Sequence, residues 1–411
     1  MTILPADTCC ETLPISRRGL LGAGLSFFAW AHMPRIASAA GTRDPRFLTI
    51  ILRGALDGLS ALAPVGDPDY AALREGMVLA RSGENAGLML DDFFALHPAM
   101  PNFARLYAAK QALVVHAVAS PYRERSHFDG QDVLESGLAG VGKIDSGWLN
   151  RAIQAMPKGE RVATHGALGV GAITPLVLRG DAPVMGWAPQ RLAESNDDLA
   201  RRVMDLYNHT DPVLAKALQS GLTADVLARG SEPDNRGGGN PAMMARAASG
   251  AARLMMKEEG PRIAVLSFDG WDTHANQGGV KGRLADLLGG LDGAFATFER
   301  EFGASWKDTT ILVVTEFGRT AKVNGTEGSD HGTATVAMLA GGAVRGGRIV
   351  ADWPGLKTAQ LHEGRDLRPT TDLRAITKGI LADQFGLSAA VLAERVFPNS
   401  TALKPMAGLI A

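Results

Sequence analysis

Five short apolar segments predict the strands of a buried sheet. Each is rich in aliphatic and β-branched residues and ends in polar or glycine-rich sequence. A continuous apolar run of this kind is typical of a strand covered on both faces, as in a parallel sheet. The predicted strands are residues 47–52, 112–118, 263–268, 310–315 and 336–339.

Helical periodicity occupies the intervals between these strands. The helical patterns comprise residues 101–110, 132–135, 199–218, 241–257 and 282–302. Strands that alternate with helices predict an α/β fold in which a mostly parallel central sheet carries helices on both faces. The polar, glycine-rich segment 230–240 is interpreted as a surface loop of this sheet rather than as a linker.

Composition agrees with one globular unit. The 411 residues are 46% hydrophobic and 21% charged, which excludes a disordered chain. The 42 basic and 43 acidic residues leave a net charge of −1, so a broad basic surface for nucleic acid is not expected. The 49 glycines predict many tight turns.

The first forty residues have the pattern of an export signal. Arg17 and Arg18 precede an uncharged apolar stretch over residues 19–31, and Ala37-Ser38-Ala39 resembles a cleavage site. The apolar stretch is shorter than the ~20 residues that span a membrane. We therefore predict a twin-arginine signal over residues 1–39, with the export machinery as a partner, and a single domain over residues 40–411. The alternatives are an uncleaved anchor and a chance arginine pair.

Cysteine usage narrows the chemistry of the exported chain. Cys9 and Cys10 are the two cysteines, and both lie within the predicted signal. The mature protein, predicted to be periplasmic or secreted, would then lack thiolate chemistry, iron–sulfur clusters and cysteine-bound zinc. No later segment reaches 18 apolar residues, so no integral membrane segment is expected.

Polar side chains follow the predicted strands. In open α/β sheets the ligand site lies beyond the carboxyl ends of the strands, so these residues are the candidates for function. The candidates are Arg53, Asp57, Arg123, Arg125, Ser126, His127, Asp272, His274, Glu316, Arg319, Asp330 and His331.

The mixture of carboxylates and imidazoles predicts a site for one or two divalent metal ions. Asp and Glu together with His suit Zn, Mn or Fe, whereas carboxylates alone suit Mg or Ca. Two metal ions ~4 Å apart can clamp the attacking and leaving oxygens at phosphorus or sulfur. Arg53, Arg123, Arg125 and Arg319 suit an anionic substrate, and a structural ion pair is the alternative for each.

Several candidates also have structural interpretations. The alternative role of Asp57 and Asp272 is to cap a helix or to form a turn. The alternative role of Ser126 is to cap the helix that follows it. His116 lies inside an apolar strand and is predicted to be a core histidine. His97 and His362 are predicted to be structural or surface residues.

Eight stretches spread through the chain carry a family resemblance. They are LRGALDGLSALAPVGDPDY (52–70), LHPAM (96–100), VVHAVASPYRERSHFDGQDVLESG (114–137), GWLNRA (147–152), FDGWDTHANQ (268–277), VVTEFGRTAKVNGTEGSDHGTA (313–334), GGRIVADWPGL (346–356) and RDLRPTTDLRA (365–375). In these stretches the chain resembles the twin-arginine-exported proteins of domain of unknown function 1501. That family in turn is similar to a distant branch of the alkaline phosphatase and sulfatase superfamily, which implies a parallel-sheet α/β sandwich with one or two divalent metal ions at its strand ends.

The resemblance implies a set of metal ligands. Asp57 is similar to the first metal-binding aspartate of the superfamily, and Asp330-His331-Gly332 to its Asp-His-Gly pair. Asp272 and His274 resemble the Asp and His of the other metal site. In the superfamily the Asp-His pair comes directly after its strand. Here Glu316 takes that place, which makes it an additional or substitute ligand.

The resemblance also implies a nucleophile at a helix start. Ser126 is the best positional candidate, with Thr273 and Thr320 behind it, and His127 is the evident base. The predicted function is an exported metal-dependent hydrolase of phosphate or sulfate esters, acting on a small anionic ester or a polysaccharide-type substrate held by Arg53, Arg125 or Arg319. The alternative is a non-catalytic periplasmic binding or assembly protein stabilised by metal. An exported redox protein is a third, weaker candidate.

Overall fold

The predicted strands form the centre of a nine-stranded sheet. The computed structural model describes residues 44–157, 166–171, 173–188, 197–215, 218–219 and 240–411, and residues 44–411 belong to one unit. The predicted signal, the 39/40 boundary and residues 230–239 of the predicted loop lie outside the described residues. The strands are β1 (Arg46–Leu52), β2 (Leu62–Ala63), β3 (Leu88–Met89), β4 (Ala95–Leu96), β5 (Ala112–Ala119), β6 (Ala167–Val170), β7 (Val184–Trp187), β8 (Ile263–Phe268), β9 (Thr309–Thr315), β10 (Thr335–Ala340), β11 (Arg348–Val350) and β12 (Thr371–Asp372).

The large sheet is mostly parallel, as the sequence predicts. Its order is β11-β5-β10-β9-β1-β8-β6-β7, with β12 also paired to β5. β10 pairs antiparallel with both β5 and β9, and the other pairs of this sheet are parallel. The carboxyl ends of β1, β5, β8 and β9 therefore meet at one edge, together with the amino end of β10. Strands β2, β3 and β4 form a small separate sheet.

Helices cover both faces of the sheet. They are α1 (Gly58–Ala61), α2 (Tyr70–Leu73), α3 (Pro101–Ala108), α4 (His127–Ser136), α5 (Trp148–Ala155), α6 (Asp197–Thr210), α7 (Asn240–Met256), α8 (Arg283–Phe302), α9 (Leu373–Phe385) and α10 (Ala389–Val391). Alternate residues of β1 enter two cores. Leu48 and Ile50 pack in the core of α3, α7 and α8, and Phe47 and Ile51 in the core of α5 and α9. The predicted covering on both faces is confirmed.

The elements that the sequence analysis missed are short or lack a clear period. They are the helices α1, α2, α5, α9 and α10, the strands β6, β7, β11 and β12, and the small sheet. Helix α4 begins at His127, five residues before the predicted start, and ends at Gly137 in the left-handed conformation (φ 72°). Glycine is favoured at such a helix end because it has no Cβ to clash. None of the helices in the described part of the chain is long and apolar enough to span a membrane.

Candidate metal centre at the sheet edge

The direction of β10 explains how distant candidates come together. Asp330 and His331 come well after the end of β9, but they lie directly before β10. Because β10 runs antiparallel to β9, its amino end lies at the edge where β1, β5, β8 and β9 end. An antiparallel bridge between Arg319 and His331 closes the loop that joins the two strands. The late position of Asp330-His331 in the sequence is thus compatible with the same edge site.

Three imidazoles and one carboxylate converge at this edge. The Nε2 atom of His331 lies 2.9 Å from Nε2 of His127 and 2.9 Å from Nε2 of His274. An oxygen of Asp272 lies 3.1 Å from Nε2 of His274 and 3.3 Å from Nε2 of His331, and its other oxygen lies 3.5 Å from Nε2 of His127. Ligand atoms of His127, Asp272 and His331 all lie within 4.8 Å of one another. We call His127, Asp272, His274 and His331 the ligand cluster.

The second ring nitrogen of each histidine has its own acceptor. Nδ1 of His127 lies 2.8 Å from Glu316 Oε1, Nδ1 of His274 lies 3.1 Å from Asp330 Oδ1, and Nδ1 of His331 lies 3.0 Å from the carbonyl oxygen of Arg125. Carboxylate and carbonyl oxygens only accept, so each Nδ1 carries the proton. In the neutral rings the three Nε2 lone pairs then face one another, an arrangement that a cation between them stabilises.

Glu316 is buried and holds His127. Gly54 N donates to its Oε1 (2.9 Å), Gln131 Nε2 donates to the same atom (3.2 Å), and Thr315 Oγ1 donates to Oε2 (2.9 Å). Burial raises the pKa of Glu316, but the hydrogen bonds from His127, Gly54 and Thr315 outweigh it and lower the pKa overall. Glu316 is therefore ionised, and its hydrogen bond raises the pKa of His127.

Gly54 allows this close arrangement. Its φ is +118°, and a Cβ atom at this position would lie 2.4 Å from the backbone nitrogen of Asp272. Any side chain would push the end of β1 away from the loop after β8. The sequence Arg53-Gly54 thus sets the contact between two strand ends that carry the site.

Arg319 lies beneath the cluster and is almost fully buried. Its Nη1 atom donates to Asp272 Oδ1 at 2.7 Å, while Nε and Nη2 have no hydrogen-bond partner among the described residues. Burial raises the pKa of Asp272, and the hydrogen bond and charge of Arg319 more than offset that effect and lower it. A buried guanidinium with unused N–H groups beside a ligand cluster favours anions.

Asp57 has a different environment from the ligand cluster. It caps α1, accepting from Ser60 N (3.2 Å), and forms a buried ion pair with Arg74. Gln277 Nε2 also donates to it at 2.6 Å. The capping alternative is therefore what the structure displays, and metal ligation by Asp57 stays a prediction.

The other predicted site residues lie around the cluster. Arg53 pairs with Glu135 (2.5 Å) and Gln131, and Arg125 pairs with Glu363 (2.6 Å) and Asp366 (2.8 Å). Ser126 occupies the N-cap position of α4, but its side chain makes no capping hydrogen bond. Asp330 and Glu316 each contact the outer nitrogen of one cluster histidine rather than the centre of the cluster. Asp330 contacts His274, and Glu316 contacts His127. Arg123 donates to the carbonyl oxygens of Ser120 and Tyr122.

The donor set fits a transition metal or zinc better than magnesium or calcium. Three imidazole nitrogens and a carboxylate are typical ligands of Zn, Mn or Fe, and hard ions such as Mg and Ca prefer oxygen. Sequence reasoning predicted a catalytic role for His127 and did not include it among the predicted metal ligands, whereas the structure places its Nε2 atom beside Asp272 and His331. Its position at the first turn of a helix after β5 was the available signal, but that helix was predicted to begin later.

Several solved structures are distantly similar to this chain. No curated protein matches the sequence. A phosphonate monoester hydrolase of Agrobacterium radiobacter is similar at 12% identity and a TM-score of 0.35, over 84% of this chain and 74% of that one. A sulfatase from Pseudoalteromonas sp. has 11% identity and a TM-score of 0.34, over 81% and 67%. An alkaline phosphatase from the Antarctic bacterium TAB5 has 15% identity and a TM-score of 0.32, over 73% and 91%.

A family match covers most of the chain. The family described as "Protein of unknown function (DUF1501)" matches residues 44–396, which run from the start of the described unit to its last helical turn. This range includes every residue of the ligand cluster. The chain belongs to the DUF1501 family.

Proposed function

We propose that this protein is an exported, metal-dependent hydrolase of phosphate or sulfate esters. The observation that carries the proposal is the convergence of three imidazole Nε2 atoms and Asp272, with each Nδ1 atom fixed by its own acceptor. Such pairing of ligand and outer acceptor is typical of metal-binding histidines. A divalent ion held there would act as a Lewis acid on a phosphoryl or sulfuryl oxygen.

Arg319 supports an anionic substrate. Its Nη1 donates to Asp272, which brings the positive charge of the guanidinium beside the cluster, while its Nε and Nη2 groups are buried without a hydrogen-bond partner among the described residues. Arg53 and Arg125 are already paired with carboxylates. We therefore propose Arg319 as the principal arginine for substrate, with Arg53 and Arg125 shaping the rim.

Ser126 is the proposed nucleophile. Its hydroxyl makes no capping bond and precedes the ligand His127 at the start of α4. The two other candidates are engaged: Thr273 Oγ1 donates to Gln277 Oε1 (2.7 Å), and Thr320 Oγ1 donates to the carbonyl oxygen of Lys322 (2.9 Å). Because His127 Nδ1 is bound to Glu316 and its Nε2 lies in the cluster, we propose His127 as a ligand rather than as the base.

The first experiment measures bound metal by elemental analysis. The chain from Ala40 onward is compared with a His127→Ala/His331→Ala variant, and both are checked for folding by circular dichroism. We expect about one equivalent of a divalent metal in the parent protein and its loss in the variant. No metal in either folded protein would contradict the proposal.

The second experiment tests catalysis. The metal-loaded protein is screened against phosphate and sulfate monoesters and diesters, and any turnover is remeasured in Ser126→Ala. Ser388→Ala is the matched control, because the Ser388 hydroxyl caps α10 by accepting from Val391 N, far from the ligand cluster in the sequence. Loss of turnover in Ser126→Ala alone supports the nucleophile. Metal binding without turnover on any ester would favour a metal-stabilised binding or assembly protein.

Export is proposed from the signal-like sequence of residues 1–39. The double variant Arg17→Lys/Arg18→Lys should retain the protein in the cytoplasm, whereas the parent sequence should be found outside it after cell fractionation. Equal distribution of the two would contradict a twin-arginine route.

A further inference from the structure

A buried polar network lies under the ligand cluster, and Gln277 is its centre. Two loops carry most of the ligands: residues 272–274 hold Asp272 and His274, and residues 329–331 hold His331. The side-chain oxygen of Gln277 accepts from Thr273 Oγ1 at 2.7 Å and from Ser329 Oγ at 2.8 Å. Thr273 lies between two ligands, and Ser329 directly precedes Asp330-His331. One carboxamide therefore joins the two ligand loops.

The other end of the same carboxamide is bound to Asp57. Gln277 Nε2 donates to Asp57 Oδ2 at 2.6 Å and to Ser60 Oγ at 3.2 Å. Both lone pairs of the amide oxygen and both of its N–H groups are thus satisfied, and the side chain is completely buried. A fully satisfied amide of this kind has one orientation and little freedom to move.

Asp57 and Arg74 fix which way the amide points. A carboxylate only accepts, so the nitrogen of Gln277 must face Asp57 and the oxygen must face the two hydroxyl groups. Arg74 is buried against Asp57 and also donates to Ser60 Oγ at 2.6 Å. The ion pair therefore gives the carboxylate a fixed place in the core, from which Gln277 reaches both loops.

We propose that Gln277 is a positioning residue that sets the distance between the two ligand loops through Thr273 and Ser329. The proposal rests on the metal centre proposed above. The side-chain hydrogen bonds of Gln277 go to residues outside the ligand cluster. The cluster residues are half-buried or exposed, whereas Gln277, Thr273 and Ser329 are completely buried. The sequence gives no hint of this role, because Asp57 and Gln277 are 220 positions apart.

The test is the zinc affinity of Gln277→Leu. The leucine retains the volume and removes all four hydrogen bonds. Zinc affinity, measured by competition with a chromogenic chelator, should fall about 10-fold, the low end of the range for residues that support metal ligands. The visible spectrum of the Co²⁺-loaded protein should also change, because the ligand geometry relaxes.

The matched control is Gln384→Leu. Gln384 is also a buried glutamine, but it donates to the carbonyl oxygens of Arg46 and Asp308. These two residues lie at the amino ends of β1 and β9, whereas the ligand cluster lies at the carboxyl ends of those strands. This variant should lose stability without altering the zinc affinity or the Co²⁺ spectrum. A similar loss of affinity in both variants would overturn the proposal, since it would then reflect general destabilisation.

A second variant tests the two links themselves. Thr273→Val/Ser329→Ala removes the hydroxyl donors and keeps Gln277 and the ion pair. If Gln277 acts through these hydroxyls, this variant matches Gln277→Leu in affinity, and combining all three changes adds nothing further. Additive losses would overturn the proposed route. This variant also serves if Gln277→Leu does not fold.

Hydrogen exchange separates this proposal from the proposed function. In the metal-free protein, amides of residues 272–277 and 327–331 should exchange faster in Gln277→Leu than in the parent, and Gln384→Leu should leave them unchanged. A parent protein that binds no zinc defeats the proposed function, whereas unchanged exchange in Gln277→Leu defeats the positioning role.

Discussion

The core histidines and the cluster histidines differ in what their second nitrogen meets. His116 is fully buried, its Nε2 lies 3.1 Å from the carbonyl oxygen of Leu62, and its Nδ1 accepts from Ala117 N. His97 is arranged similarly, between Gly279 O (3.0 Å) and Ala99 N (3.1 Å). In both rings one nitrogen donates and the other accepts, so a neutral imidazole is complete.

The cluster histidines are less buried than the core histidines, and their Nε2 lone pairs have no hydrogen-bond donor among the described residues. Each donates from Nδ1, and the remaining Nε2 atoms face one another. Burial lowers the pKa of His331, and protonation of the neighbouring His127 would lower it further, which favours the neutral ring of His331. The comparison teaches that an unmet lone pair, rather than burial, distinguishes a candidate ligand from a structural histidine.

The largest expected effect is the loss of metal in His331→Ala. Its Nε2 atom contacts both other imidazoles and Asp272, so its removal opens the centre of the cluster. We expect metal content to fall below detection in elemental analysis. His362→Ala is the control, since His362 lies outside the cluster and pairs with Glu363. Retention of metal by His331→Ala would show that the remaining side chains suffice.

His116 should make the fold sensitive to acid. Burial lowers its pKa from 6.5 to about 4. The unfolded chain therefore binds a proton at higher pH than the folded chain, and stability is lost as pH falls from 6.5 towards 4. The loss amounts to about 3 kcal/mol at pH 4, from 1.36 kcal/mol per tenfold difference in proton affinity.

Urea unfolding of His116→Gln at pH 7 and pH 4 checks this expectation. The variant should lose about 3 kcal/mol less than the parent between the two pH values, because glutamine does not titrate. An identical acid loss in His116→Gln would place the sensitivity elsewhere in the protein.

Glu316→Gln should weaken metal binding about 10- to 100-fold. The amide removes the negative charge that holds His127 Nδ1, although it retains the volume of the buried side chain. The measurement is chelator competition. Glu299→Gln is the control, because Glu299 on α8 pairs with Arg105 on α3, away from the ligand cluster. An unchanged affinity would mean that His127 needs no anchored proton.

Asp330→Asn should have the smallest effect, a few-fold loss at the low end of that range. Asp330 holds His274 in the way that Glu316 holds His127, but it is exposed, so water can replace its hydrogen bond. The same competition assay compares the two variants. A larger loss in Asp330→Asn than in Glu316→Gln would place Asp330 among the direct ligands, as the family resemblance implies.

The large sheet could be predicted because the local sequence of each of its central strands already indicates a buried strand. The runs that form β1, β5, β8, β9 and β10 are mostly aliphatic and β-branched and are bounded by polar or glycine-rich sequence, which indicates burial on both faces. The strands β6, β7, β11 and β12, which lie towards the two sides of the sheet, were missed because they are short and carry glycine or polar residues. Helix α9 was also missed, although Asp372 caps it. Its apolar positions do not form a pattern that separates the helix from the sequence on either side.

What the sequence by itself determined was the kind of chemistry and the edge where it lies. Polar residues after parallel strands must gather at the carboxyl ends, and this rule alone indicated Asp272, His274 and the residues after β9. The tertiary structure decided which of them are neighbours. Because β10 runs antiparallel to β9, His331 lies at the edge where the other strands end. Asp57 forms a buried ion pair with Arg74. Contacts between residues so distant along the chain depend on strand direction and packing, which no local pattern encodes.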